Sequence, residues 1–213
     1  MSRNGSDAIS LAAYCADPCG LLSIPYWKNK HVRVPGNMKI VHDRDYSPDS
    51  GFEDEPYFRL LHDLKCIGRQ EGAFRCQTAE EADLPLMAEI INRCYEDLSV
   101  SVEQLQHYRQ TEAFAPELWI IAYAEGSQEP AGCGIADFDA EAGEGVLEWI
   151  QVLPQHRRRG AGRRIVNELL RRMAPWANFA TVSGRINNPA RPEMLYRNCG
   201  FTGSDIWHIL TKK

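Results

Sequence analysis

Residues 146–173, VLEWIQVLPQHRRRGAGRRIVNELLRRM, carry the strongest local constraint in the chain. VLEWIQV has the β-branched and aromatic content of a strand. After Leu153-Pro154, three arginines run into Gly160-Ala161-Gly162, and Ile165, Val166, Leu169, Leu170 and Met173 then recur at helical spacing. A further strand, FATVSGRI, follows. A strand that turns through glycines into an amphipathic helix and returns to a strand commits this region to a sheet with a helix on one face. Glycines at such a handover let main-chain N–H groups converge without Cβ obstruction. The helix N-terminus and adjacent arginines add positive charge, which suits a diphosphate. The plainer alternative is a solvated basic helix start. Two familiar phosphate loops are excluded: a GxGxxG pattern would need glycine at Ile165, and the Gly-Lys-Ser/Thr of a P-loop is absent.

The flanking sequence extends this unit into a domain. FRCQTA, LWIIAYA, AGCGIADFDA and IWHILT read as strands, with EGSQEP and AEAGEG as turns. Helices are expected over Glu80–Tyr95, carrying Leu84, Met87, Ile90, Ile91 and Cys94, over Val102–Arg109, and over PEMLYRNC, ended by Gly200. The expected fold class is α/β (α+β): a mixed, mostly antiparallel central sheet flanked by helices. Residues 73–213 form one such domain, and residues 1–72 form an N-terminal extension. Within the extension, VRV and MKIVH are candidate short strands. PYFRLLHDLKCI (56–67) is expected to be a helix, with Pro56 in its first turn and Tyr57, Leu61 and Leu64 on one face. SIPYWK either walls a site or covers apolar sheet surface, and cover is the expectation.

Composition removes several function classes. Net charge is −5, against a general nucleic-acid-coating role, and this makes the arginine cluster stand out. No stretch approaches a membrane span, and the N-terminal MSRNGSDAIS lacks a signal-peptide core, so a cytoplasmic protein is expected. Seven scattered cysteines lack zinc-site pairing and read as reduced thiols, and His42, His62 and His107 are too dispersed to gather a metal. A homodimer stays open.

Two motifs together carry a resemblance. Arg157-Arg158-Arg159-Gly160-Ala161-Gly162, preceded by Val152-x-Pro154, resembles the acyl-CoA loop of the GNAT (general-control-related) N-acetyltransferase superfamily. Leu195-Tyr196-Arg197-Asn198-Cys199-Gly200-Phe201 is similar to that superfamily's Leu-Tyr-x-x-x-Gly-Phe, a helix and a strand further on and in the same order. The resemblance covers residues 73–213 and departs at one point. The asparagine seven positions before the tyrosine is displaced, with Pro189 there and Asn188 one residue earlier.

The resemblance implies acetyl-CoA as co-substrate, a primary amine as acceptor, and no metal. It assigns Arg157, Arg158, Arg159, Gly160, Ala161, Gly162 and Arg163 to the pyrophosphate. Main-chain groups of Ile150, Gln151 and Val152 would hold the pantetheine arm and thioester carbonyl, and Asn188 would stand near that arm. An alkylammonium has a pKa of ~10.4, so a base must take its proton, and the departing sulfur needs an acid. Glu148 is the candidate base; strand alternation sets it on one face with Ile150 and Val152, opposite Leu147, Trp149 and Gln151. Tyr196 is the candidate acid. Arg171 and Arg172 read as a solvated helix face, and His208 as a satisfied strand histidine. No cysteine or serine stands in an activated setting, so direct transfer in a ternary complex is expected. The alternatives are an acyl-CoA-binding sensor or partner-binding module without turnover, and a nucleic-acid binder using the arginine cluster.

Overall fold

The structure, a computed structural model, describes residues 9–68, 73–94 and 98–213. Most of the N-terminal stretch read for a leader, and Tyr95 at the end of the first expected helix, lie outside the described residues. The elements run α1 Leu11–Ala16, α2 Pro18–Leu21, α3 Tyr26–Asn29, β1 Met38–His42, β2 Phe52–His62, β3 Phe74–Thr78, α4 Leu84–Asn92, α5 Val102–Tyr108, β4 Trp119–Ala124, β5 Pro130–Asp139, β6 Glu144–Val152, α6 Ala161–Met173, β7 Phe179–Arg185, α7 Pro192–Asn198 and β8 Thr202–Lys212. The strands form one eight-stranded sheet in the order β1-β8-β2-β7-β6-β5-β4-β3. β6 and β7 are parallel, joined through α6, and every other neighbouring pair is antiparallel. This is the mixed, mostly antiparallel sheet flanked by helices that the sequence leads one to expect.

The α6 stripe packs on one face, where Ile165, Val166, Leu169, Leu170 and Met173 meet Ile120, Ala122, Ala136 and Leu147. A Cβ on Gly134 would stand 2.5 Å from Ile165 Cγ2, so a bare glycine lets the helix come this close to the sheet. On the other face α4 and α5 bury Leu84, Met87, Ile91 and Leu105 against Trp119, Ile121, Cys133 and Ile135.

Two expectations are corrected. VRV belongs to no strand, whereas MKIVH is β1. The stretch expected as a helix over 56–67 is instead occupied by β2 and the turn after it. β2 pairs with β7 from Tyr57↔Arg185 to His62↔Ala180, and with β8 from Phe52↔Lys212 onward. Its buried residues are Phe58, Arg59, Leu60 and His62, and the Tyr57/Leu61/Leu64 face does not exist. Leu64 is left-handed at φ 59°, which ends any helical continuation. Short apolar runs satisfy both periods, and here two flanking strands supply backbone partners that a helix would forgo.

A buried polar cluster fastens the N-terminal elements to the sheet. The Tyr14 hydroxyl of α1 donates to Glu144 Oε2 at 2.6 Å, and Arg59 Nη2 of β2 lies 3.2 Å from Glu144 Oε1. Thr181 of β7 donates to the same carboxylate, while Arg59 also donates to the Pro18 carbonyl and the Ser183 hydroxyl. Glu144 is fully buried and Arg59 is 1% exposed, so each charge depends on partners inside the protein.

Candidate active site

β6 stays paired to β5 along its length, ending at Gly132↔Val152, but its parallel register with β7 stops at Leu147↔Val182. Residues 148–152 therefore have no register partner in β7 among the described residues, and the sheet opens there. Of the main-chain groups expected to serve a cofactor, the Val152 carbonyl already accepts from Arg157 Nε at 3.1 Å and from Cys94 Sγ at 3.5 Å.

The glycine loop lies at the end of this opening. Gly160 is the N-cap of α6 at φ 94°, and it contributes no side chain to the first-turn amides. Arg158 is also left-handed, at φ 60°, an uncommon conformation for a side-chain-bearing residue. Arg157, Arg158, Arg159 and Arg163 are exposed. A Cβ on Gly162 would meet Leu195 Cδ2 at 3.1 Å and Val152 Cγ2 at 3.5 Å, so loop, strand end and α7 converge at Gly162. Tyr196 of α7 is 7% exposed, its ring 6.1 Å from Phe58 and 5.8 Å from Phe201. Asn188 is half-buried and its side chain is used locally, accepting from the Ala190 amide at 2.9 Å.

The expected face of Glu148 is corrected. The β5–β6 register shifts between Ile135 and Ala136: Trp149 faces Ile135, Leu147 faces Ala136, and Glu148 is the extra residue. This bulge breaks strict alternation. Leu147, Ile150 and Val152 all pack toward α6, and Glu148 turns with Trp149 to the opposite side. Glu148 and Tyr196 thus stand on opposite faces, with the opening between β6 and β7 between them.

On the Glu148 side is a cavity of about 220 Å³. Asp137, Ile135 and Trp119 line it from the sheet, His107, Tyr108 and Thr111 from α5 and its continuation, and Trp27 and Lys28 from α3. The SIPYWK segment thus walls a cavity through Trp27 and Lys28, while its Tyr26 packs at a tilt against Tyr14 in an N-terminal cluster. Lys28 Nζ is 2.5 Å from Glu148 Oε1. Burial, and secondarily the Glu148 carboxylate, push the Asp137 carboxyl up to about 8, with Lys28 opposing the shift. The indole N–H groups of Trp27 and Trp119 are buried without a hydrogen-bond partner among the described residues.

Asp137 is a cavity residue that sequence reading missed, although it had a signal: it follows Ile135 by two on a strand, an acid in an apolar register. Trp27 and Lys28 belong to SIPYWK, for which cover is the expectation and a wall the alternative; here they line the cavity. Arg171 and Arg172 are also corrected, because they are held rather than merely solvated. Both bond Glu168, and Arg172 reaches Thr78 and the Glu117 carbonyl. His208 is satisfied as expected, between Asp54 and Asp43. No group of three or more potential metal ligands is gathered among the described residues, and none of their helices is long and apolar enough to cross a membrane.

Residues 84–201, more than half of the chain, match the model of the acetyltransferase (GNAT) family. Among solved structures the fold is similar to a GCN5-related N-acetyltransferase from Sphaerobacter thermophilus, with TM-score 0.63 at 18% identity over 76% of this chain and 53% of that one. It is also similar to the ribosomal-protein-S18-alanine N-acetyltransferase from Escherichia coli (TM-score 0.52, 19% identity, 65% and 93% covered). A third is the NatC complex bound to Gag peptide and CoA (TM-score 0.53, 16% identity, 66% and 98% covered). At these identities the likeness is one of fold, and the chain spans about half the length of the Sphaerobacter protein. No curated protein matches it.

Proposed function

Because the chain belongs to the acetyltransferase (GNAT) family, we propose that it moves an acetyl group from acetyl-CoA to a primary amine held beside Glu148 and Asp137, directly and in a ternary complex. The observation that carries this reading is the coincidence of two features on one strand. Beyond Leu147 the register of β6 with β7 ends among the described residues, and at that point Glu148 turns into a cavity. The amides at the start of α6 and the exposed arginines hold the pyrophosphate. The β7-facing edge of residues 148–152 receives the pantetheine arm, and an N–H there stabilises the tetrahedral oxyanion. The amine nitrogen forms its bond to the thioester carbon, the C–S bond breaks, the ammonium proton passes to the Asp137–Glu148 pair, and Tyr196 protonates the sulfur.

No cysteine lines the cavity, and burial pushes the Cys76 and Cys199 thiols each up to about 11. That disfavours a thiol intermediate at neutral pH. The Lys28–Glu148 ion pair favours a second reading, an acyl-CoA-binding module whose acceptor groove is closed. Incubation with acetyl-CoA and a panel of amines, monitoring free thiol, separates the two. Amine-dependent thiol release supports transfer, and tight cofactor binding without release supports the module.

A further inference from the structure

The cavity beside Glu148 holds an ion pair, and that pair defines the chemistry of what fits it. Lys28 and Glu148 are each about one quarter exposed and point at one another across 2.5 Å. An acceptor amine that takes the Glu148 oxygen facing Lys28 parts them. A simple monoamine would take the carboxylate and leave the Lys28 ammonium without its partner. Leaving a partly buried charge unpaired is unfavourable. A molecule carrying both an ammonium and a carboxylate offers each half of the opened pair its opposite charge. The net charge of the cavity is then the same before and after binding.

Trp27 and Trp119 line the same cavity, and the Lys28 ammonium lies 5.3 Å from the Trp27 ring centroid. The volume of about 220 Å³ suits a compact occupant.

We infer that the acceptor is a small zwitterion, a free amino acid, whose carboxylate is received by Lys28 while its amine replaces Lys28 at Glu148. This rests on the acetyl-transfer reading and narrows it to a substrate class. Lys28 is then a specificity-determining residue.

The experiment compares matched acceptors on the full chain at saturating acetyl-CoA: phenylalanine against phenethylamine, and leucine against isoamylamine. In the wild type, kcat/KM for each amino acid exceeds that of its decarboxylated partner at least tenfold. Lys28→Met brings the two within about threefold, by raising KM for the amino acid and releasing the amine from its penalty. Lys28→Arg retains the preference, which shows that the charge matters and guards against a folding defect. An amine that serves as well as its amino acid, or a preference that survives Lys28→Met, overturns the inference. If neither amino acid is acetylated while another amine is, the substrate class falls and acetyl transfer stands. If calorimetry finds no acetyl-CoA binding, both fall.

Discussion

Asp137 and Glu148 enter one cavity from neighbouring strands because Glu148 is the extra residue between the Leu147↔Ala136 and Trp149↔Ile135 pairs. Two carboxyl groups that share one space resist ionising together, and here burial holds a proton on Asp137 up to about 8. A base works best when its pKa is near the working pH. Turnover is therefore expected to rise with pH as this proton is lost, through a limb near 8 that stays put when acceptor amines of different basicity are compared. Asp137→Asn should remove the limb. Stability has the opposite slope. Between the ordinary carboxylate range near ~4 and about 8 the folded chain binds a proton that the unfolded chain has released, so stability falls as pH rises through that window. Melting temperatures of wild type and Asp137→Asn should diverge toward pH 8 in favour of the variant.

Glu148→Gln should leave acetyl-CoA affinity unchanged by calorimetry and lower kcat by about 10²- to 10⁴-fold, the usual contribution of a general base. It also takes the ionic partner from Lys28. A kcat within a few-fold of wild type would assign proton removal to Asp137 alone.

The glycine loop and α6 were legible because the information is local: the strand, the turn and the helical stripe each occupy consecutive residues. The sheet and its helices from residue 73 onward followed for the same reason. What could not be read depended on pairing between distant segments. β2 became a strand because β7 and β8 stand on either side of it, and both come more than 100 residues later. The bulge at Glu148 is a register between two strands, absent from either sequence alone, and it inverted the expected face of the candidate base. Trp27 and Lys28 reach the cavity from α3, which no periodicity in the later chain announces.

The cluster around Glu144 should be the most sensitive point of the fold outside the apolar core. Replacing Glu144 by Gln leaves the Arg59 charge, 1% exposed, without its carboxylate. Breaking one side of a buried pair costs about 3–5 kcal/mol. Tyr14→Phe loses a hydroxyl that donates to Glu144 and accepts from Arg59, and should cost about 1–3 kcal/mol. Denaturant unfolding of both variants checks the order, and equal losses would mean that the charge is screened by the remaining partners.

Gly160 has φ 94° and no atom within 4 Å of where a Cβ would stand, so a side chain there meets a backbone cost and no clash. Gly160→Ala should cost about 1–2 kcal/mol of stability, the left-handed penalty for an L-residue. Gly160→Asp adds a negative charge at the start of α6 and should weaken CoA binding at least tenfold beyond the alanine variant. Equal affinities in the two variants would remove the loop from the pyrophosphate site.

Tyr196 is packed between Phe58 and Phe201 in the apolar cluster beneath α6, so Tyr196→Phe preserves its ring contacts. If its hydroxyl protonates the departing sulfur, that contribution exists only as negative charge develops there. Interactions of this kind lower kcat and kcat/KM together while ground-state binding is nearly unchanged. The variant should bind acetyl-CoA as the wild type does, melt within a few degrees of it, and lose about tenfold or more in turnover. An acetyl donor with a more acidic leaving thiol needs less help, so the deficit should shrink with that donor. A deficit of the same size with both donors would make Tyr196 a packing residue and send the proton to the sulfur by another route.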